Sequence, residues 1–397
     1  MNKASKQRGY VVTYPNNHYP NNVALTEEEH SPQAHSPAPP QSSKKTHENV
    51  TRAHMAEKLA ALKGFEFAGE YNAKANYAGS NIYFVPADTL LHTQARQLNI
   101  HSEENLFGGI VELPFMATKS ITHPLVDTDA VAPAGWTPRF ANNVAKAVLR
   151  GYTVFSIADA QRAAVALLKK SAVRVKPALG IGGCGQTVVT DIDQLLDAIN
   201  VIDRAELALY GVALEQNLDQ VVTYSVGQVY VAGLRITYYG TQGLTRNHRG
   251  ENVYGGSTLH IVRGNFEALK RMPLPPAIRL AVDQGCCYDA AANANFSGLL
   301  ASRRNYDIVQ GLDECGTLQS GVLEQSWRIG GASPAEIAAL EAFSMDPELL
   351  AVKASSCEVY DILPAAHSSH IYYQGVDENV GALTKYSTID CYEYSTE

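Results

Sequence analysis

The sequence predicts a mixed α/β and α+β protein built from two or three packed units. Three observations carry that expectation. At 397 residues the chain exceeds the usual size of one domain. Strand-like and helix-like segments alternate over residues 65–115, as in a small α/β unit. From Val221 to Tyr239 β-branched and aromatic residues dominate, as in antiparallel strands joined by tight turns.

Composition narrows the function classes. Hydrophobic residues make up 45% and charged residues 18%, enough for a sizeable core. The net charge of −8 leaves no basic excess to neutralise a nucleic-acid backbone. No apolar run approaches the roughly 20 residues a membrane helix needs. The basic N-terminus is followed by no apolar stretch, so no secretory signal is expected and a cytoplasmic protein is. The six cysteines, Cys184, Cys286, Cys287, Cys315, Cys357 and Cys391, show no metal-ligand spacing and read as free thiols in a reducing compartment.

In chain order, residues 1–50 read as a disordered tail, because 21–50 are rich in Pro, Ser, Asn and His and have little to bury. Residues 51–137 read as an N-terminal α/β domain. It starts with a helix stopped by Gly64, followed by short strands at Phe65–Tyr71 and Asn81–Pro86. A second helix is expected from an Asp88 N-cap to Ile100. Residues 138–220 form the central unit. A helix is expected over Pro138–Arg150, then a strand at Tyr152–Phe155. Ser156 and Asp159 make a capping box for a helix through Lys170, with Ala160, Ala163, Ala164, Leu167 and Leu168 on its apolar face. Strands flank a glycine-rich loop, Thr190 and Asp193 are expected to cap the next helix, and a strand ends at Gln216. Residues 221–397 make the third unit, with Gly227 and Gly233 interrupting antiparallel strands. A helix over Leu280–Asn295 follows, then strands near Asn305–Gly311 and Gly321–Trp327. The Tyr- and Ser-rich stretch 365–397 has no legible organisation.

The loop carries the first functional signal. Glycines stand at 180, 182, 183 and 185 between two strand-like runs. Without Cβ atoms, successive N–H groups can turn inward and cradle an anion. Lys176, on the entering strand, can set its ammonium beside the same phosphates. No Gly-Lys-Ser/Thr closes the loop, and a strand rather than a helix follows it, so neither a P-loop nor a dinucleotide fingerprint fits. A glycine-rich hairpin turn is the plain alternative.

The second signal is a pair of acids. Asp307 and Glu324 fall on two strands that can lie side by side, and Glu324, Ser326 and Arg328 alternate onto one face. Two carboxylates plus a hydroxyl suit Mg²⁺, which takes few carboxylates and keeps phosphate oxygens and water. Asp313 is a rival for the first acid, and a solvent-facing Glu/Arg strand is the plain alternative. Glu215 ends a strand where it can meet a ribose or adenine group, with an exposed strand-end carboxylate as the plain alternative. The stretch with Arg246, His248, Arg249 and Glu251 reads as a mobile or solvated loop, and His123 reads as structural. His30 and His35 in the tail offer at most a stray-metal site, and Cys184 in the loop reads as filling a small pocket, with oxidation sensing as the alternative, because no partner lowers its pKa.

Taken together, Lys176, Gly182-Gly183-x-Gly185, Glu215, Asp307 and Glu324-x-Ser326 resemble the ATP-grasp superfamily over residues 138–335. Within it the chain resembles an uncharacterised bacterial biotin-carboxylase-like family. The resemblance implies an ATP-grasp fold, two α+β subdomains sandwiching the nucleotide after a small α/β domain. It implies ATP and Mg²⁺ as cofactors and activation of a carboxylate as an acyl phosphate for attack by an amine or thiol. A bicarbonate-using enzyme or a non-catalytic nucleotide-binding regulator are the alternatives. By position, Lys176 would contact adenine and the α-phosphate, and Gly182, Gly183 and Gly185 would cover the outer phosphates. Glu215 would hold the adenosine end, while Asp307, Glu324 and Ser326 would hold metal. Arg328 would orient the acceptor and Arg304 would stabilise the transferring group. Arg139 aligns with an upstream phosphate-binding cation, with Lys119 and Lys146 as competitors. Partners would be small-molecule substrates, with no nucleic acid or membrane; a homodimer is compatible with this reading.

Overall fold

The computed structural model describes residues 9–15, 46–77, 79–180, 185–364 and 369–392. The mixed α/β and α+β class expected from the sequence is what it shows. A small parallel α/β unit precedes two units built on antiparallel sheets.

The N-terminal unit corrects the tail assigned to residues 1–50. Gly9–Tyr14 is the central strand of a parallel three-stranded sheet, between Glu66–Glu70 and Asn81–Pro86. Val11 and Val12 are fully buried there. The rest of that tail lies outside the described residues, apart from Pro15 and Thr46 onwards. The first helix, His47–Lys63, starts before Thr51. Thr46 accepts from the Asn49 amide, and Gly64, at φ 66°, ends the helix as expected. Asp88 does not cap the second helix. It accepts from the Thr89 amide, because Leu90–Leu91 first pairs with Ile110–Val111, and the helix is only His92–Gln97.

The central unit is an antiparallel four-stranded sheet. Its order is Gly151–Val154, Val212–Gln216, Val173–Pro177, Thr187–Val189. Helices Ile157–Leu168 and Ile192–Asn200 bury their apolar stripes against it. Ser156 caps the first, as its sequence predicts. The second is capped by Asp191 rather than Thr190; Thr190 instead donates its amide to Gln194. A short helix at Arg204–Tyr210, capped by Asp203, was not anticipated. The helix expected over 138–150 stops at Val144. Beyond it the chain turns over residues 145–147, the Ala147 carbonyl accepts from the Val322 amide and Val148 bridges Val322. That seam ties the central unit to the third.

The third unit is an eight-stranded sheet that includes Asp219–Val231, Leu234–Arg246 and Asn252–Arg263, with Arg303–Leu312 and Leu318–Ser326 at one edge. Gly227 lies within a strand rather than interrupting it, and the turn falls at Ala232-Gly233. The stretch read as a solvated loop is an exposed tight turn over Asn247–Glu251, and the residues on either side of it pair as ladder. The C-terminal stretch adds two strands, Ser369–Asp377 and Gly381–Tyr392, at the other edge. Helix Pro276–Asn295 packs on one face, over Val226, Tyr306 and Ile308. Helices Ser333–Met345 and His47–Lys63 pack on the other, over Ile236, Tyr238 and Leu259. The edge nearest the central unit stays uncovered on that second face, and the site lies there.

Candidate active site

One wall comes from the four-stranded sheet. Arg174 and Lys176 point to the same side, opposite Glu215 and Ala213. Lys176 is only 2% exposed. Its Nζ donates to Glu215 Oε1 at 3.1 Å and to the Leu323 carbonyl at 3.1 Å, so it spans the gap between the two sheets. The other Glu215 oxygen lies 3.0 Å from His123 Nε2. Burial is the largest influence on Glu215 and favours its neutral form. Lys176 and His123 together outweigh it and hold the carboxyl down at about 2.

The other wall comes from the edge of the eight-stranded sheet. Asp307 and Glu324 are direct cross-strand partners, and a bulge follows between Asp307 and Ile308. Asp307 Oδ1 accepts from Asn305 Nδ2 at 2.8 Å and from Ser225 Oγ at 3.2 Å. Its pKa is raised, first by burial and then by the negative charge of Glu324. Burial also acts most strongly on Glu324, in the upward direction. Lys119, Lys176 and Arg328 overcome it and the net shift is downward. Lys119 Nζ sits 2.7 Å from Glu324 Oε2 and 2.7 Å from the Gly180 carbonyl, at the mouth of the glycine-rich loop.

Between the walls lies a cavity of about 270 Å³. Lys176, Glu215, Asp307 and Glu324 all line it. Leu149, Leu218 and Leu323 give it an apolar floor at the seam between the units. Such a space, apolar with a few converging charges, is of the kind that takes a small molecule. Among the described residues no three His, Cys, Asp or Glu side chains gather to hold a metal alone. Asp307 and Glu324 form a pair whose mutual repulsion a divalent cation would relieve, so they fit an ion that takes its remaining ligands from phosphate and water.

The other sequence-selected residues fall as follows. Gly182 and Gly183 lie outside the described residues. Gly185 is in the left-handed region at φ 74°, just before the strand that leaves the loop. Arg139 is exposed on its helix and does not line the cavity; the buried upstream cation is Lys119. Lys146 is exposed as well. Arg304 points to the opposite face of the sheet, where it pairs with Asp289 at 3.1 Å and Glu103 at 3.3 Å. Its neighbour Arg303 shares the face of Asp307. Arg303 Nη1 donates to Ser326 Oγ at 3.1 Å, which commits that hydroxyl to a guanidinium and sets a positive charge against a metal there. Arg328, beyond the strand end, is 3.9 Å from Asp88 and contributes positive potential at Glu324. Asp313 is spent on the turn between the two strands, accepting from the Cys315 and Thr317 amides. Glu215 lines the cavity and at the same time engages both oxygens, one with Lys176 and one with His123, so it orders the lysine. Sequence reasoning missed Arg174, Gln186, Gln242 and Tyr254, which also line the cavity.

The fold and this cleft define a two-walled α/β protein, with the buried Lys176 of one sheet facing paired acids on another. The chain belongs to the DUF3182 family, whose description is a protein of unknown function; the family model matches residues 37–387. No curated protein matches. Among solved structures, N5-carboxyaminoimidazole synthetase from Staphylococcus aureus, complexed with ADP, is similar at 10% identity and a TM-score of 0.48, covering 97% of this chain and 94% of that one. D-alanyl-alanine synthetase A from Vibrio cholerae is similar at 11% identity and a TM-score of 0.47, covering 86% and 98%. Phosphoribosylamine–glycine ligase from Thermotoga maritima is similar at 11% identity and a TM-score of 0.46, covering 98% and 93%.

Proposed function

We propose that this protein is an ATP- and Mg²⁺-dependent ligase of the ATP-grasp kind, activating a carboxylate as an acyl phosphate for attack by an amine or thiol. One observation carries the reading: Lys176, held by Glu215, shares one cavity with the cross-strand pair Asp307 and Glu324. Phosphoryl transfer needs positioning and charge neutralisation more than a covalent protein group, and this cleft supplies both signs of charge at fixed places.

Lys176 is oriented towards the incoming phosphates by Glu215, which His123 holds in turn. Lys119, tied to the loop at Gly180, stands ready to exchange Glu324 for a phosphate oxygen. Asp307 and Glu324 would hold the magnesium, which would neutralise phosphate charge. The apolar seam at Leu149, Leu218 and Leu323 takes the base and excludes water. Arg328 offers a cation for the acceptor carboxylate. Arg303, rather than Arg304, shares the face of Asp307, but it is buried and acts through its neighbours.

The test is ADP release from ATP and Mg²⁺ in the presence of a panel of carboxylates and amines. Turnover that depends on a carboxylate and stops in Asp307→Asn and Glu324→Gln, with unchanged circular dichroism, is the expected result. Turnover driven by bicarbonate alone would move the acceptor to the biotin-carboxylase-like alternative. Full activity in either variant would refute the metal assignment.

A further inference from the structure

Behind Asp307 runs a connected set of buried polar groups that line no part of the cavity. Tyr238, Gly227 and Asn305 lie abreast on three neighbouring strands. A Cβ on Gly227 would come within 2.3 Å of the Tyr238 side chain and 2.5 Å of the Arg304 carbonyl. Only glycine lets the tyrosine cross the middle strand and reach Asn305. The Tyr238 hydroxyl lies 2.5 Å from Glu336 Oε1 and 2.9 Å from Asn305 Oδ1, with one proton to give between these two acceptors. The other end of the Asn305 amide donates to Asp307 Oδ1.

Glu336, fully buried on helix Ser333–Met345, is the common anchor. Arg303 donates to it through Nε and Nη2, the latter at 2.9 Å. Arg303 Nη1 then reaches the carbonyls of Ser326 at 3.2 Å and Arg328 at 2.6 Å. One arm from Glu336 therefore ends on Asp307. The other ends on the terminus of the strand that carries Glu324 and on the Arg328 carbonyl just beyond it. A buried ion pair adds little net stability over apolar packing, so stability alone does not explain placing one here. It does fix the geometry of whatever it touches, as groups behind metal ligands do.

We propose that Glu336 and Tyr238 are positioning residues for the acidic pair, holding Asp307 and the Glu324 strand end in the arrangement that receives a divalent cation. This rests on reading Asp307 and Glu324 as the metal-holding groups. Glu336→Gln would leave Arg303 buried without a counter-charge and is expected to misfold, so Tyr238→Phe is the probe. It removes one oxygen and leaves the Arg303–Glu336 pair in place.

The measurement is Mn²⁺ binding to the full chain in the presence of ADP, followed by the electron paramagnetic resonance of free and bound Mn²⁺. Tyr238→Phe is expected to bind Mn²⁺ about tenfold more weakly and with an altered bound spectrum. Circular dichroism and metal-free ADP binding are expected to stay as in the unaltered protein. An unchanged affinity and spectrum in Tyr238→Phe, with binding lost in Asp307→Asn, overturns the positioning role and leaves the ligase reading standing. Absence of Asp307-dependent Mn²⁺ binding in the unaltered protein overturns both.

Discussion

Glu215→Gln separates the two roles a buried carboxylate can have, because its cost can be worked from the structure. Glu215 is 1% exposed, and Lys176 is 2% exposed beside it. The carboxyl is held at about 2 against an ordinary value of 4.5. At about 1.4 kcal/mol per unit, that displacement corresponds to about 3 kcal/mol of stability from the charged form. Removing one partner of a buried pair independently suggests a loss of about 3–5 kcal/mol, reduced here because Lys176 still faces Glu324. The sign follows from the depressed pKa. The contribution is complete above pH 4.5 and disappears as pH falls from there towards about 2. Urea unfolding followed by the fluorescence of Trp136 and Trp327 provides the assay. At pH 7 the variant should unfold at clearly lower urea than the parent, and the gap should narrow as the solution is acidified through this window. Equal midpoints at pH 7, or a gap that ignores pH, would refute the claim that Glu215 is charged and paired in the fold.

Lys119→Met removes the cation that bridges Glu324 and the loop mouth, and is expected to raise the KM for ATP by at least tenfold in the ADP-release assay. Arg139→Ala, on an exposed helix position away from the cavity, should leave the same kinetics within twofold of the parent. Gly227→Ala forces a methyl group against Tyr238 and a strand carbonyl, and should cost about 1–3 kcal/mol in urea unfolding. A stability within error of the parent would show that Tyr238 does not need that space.

Much of the acidic wall was legible before the structure. Period-two alternation and the glycine-containing connection predict that Asp307 and Glu324 share a face, and the strands pair with those two residues opposite each other. The same counting corrects the arginine. Stepping back from Asp307 by twos reaches Asn305 and Arg303, so Arg304 belongs to the other face; the signal was present in the alternation. The strand at Gly9–Tyr14 also had a signal, the β-branched and aromatic run Tyr10–Thr13, obscured by the polar sequence that follows it. Other features have no local signature. Lys119 reaches Glu324 from a short 3₁₀ turn far away in sequence, and only the tertiary packing of Lys119–Thr122 chooses it over Arg139. His123 meets Glu215 by the same kind of long-range contact. The early end of the helix at Val144 is likewise decided by the seam with Val322, which overrides helix propensity.

The position of Gly9–Tyr14 between two strands that come some fifty or more residues later has a practical outcome for anyone dividing this chain. A fragment cut to the family's matched span, 37–387, would be born without the middle of its first sheet. Its two outer strands would present unsatisfied edges and a bare apolar slot where Val11 and Val12 belong. Such a fragment should be prone to aggregation even with every residue of the cleft intact, and a separately supplied peptide spanning the missing strand should restore its solubility.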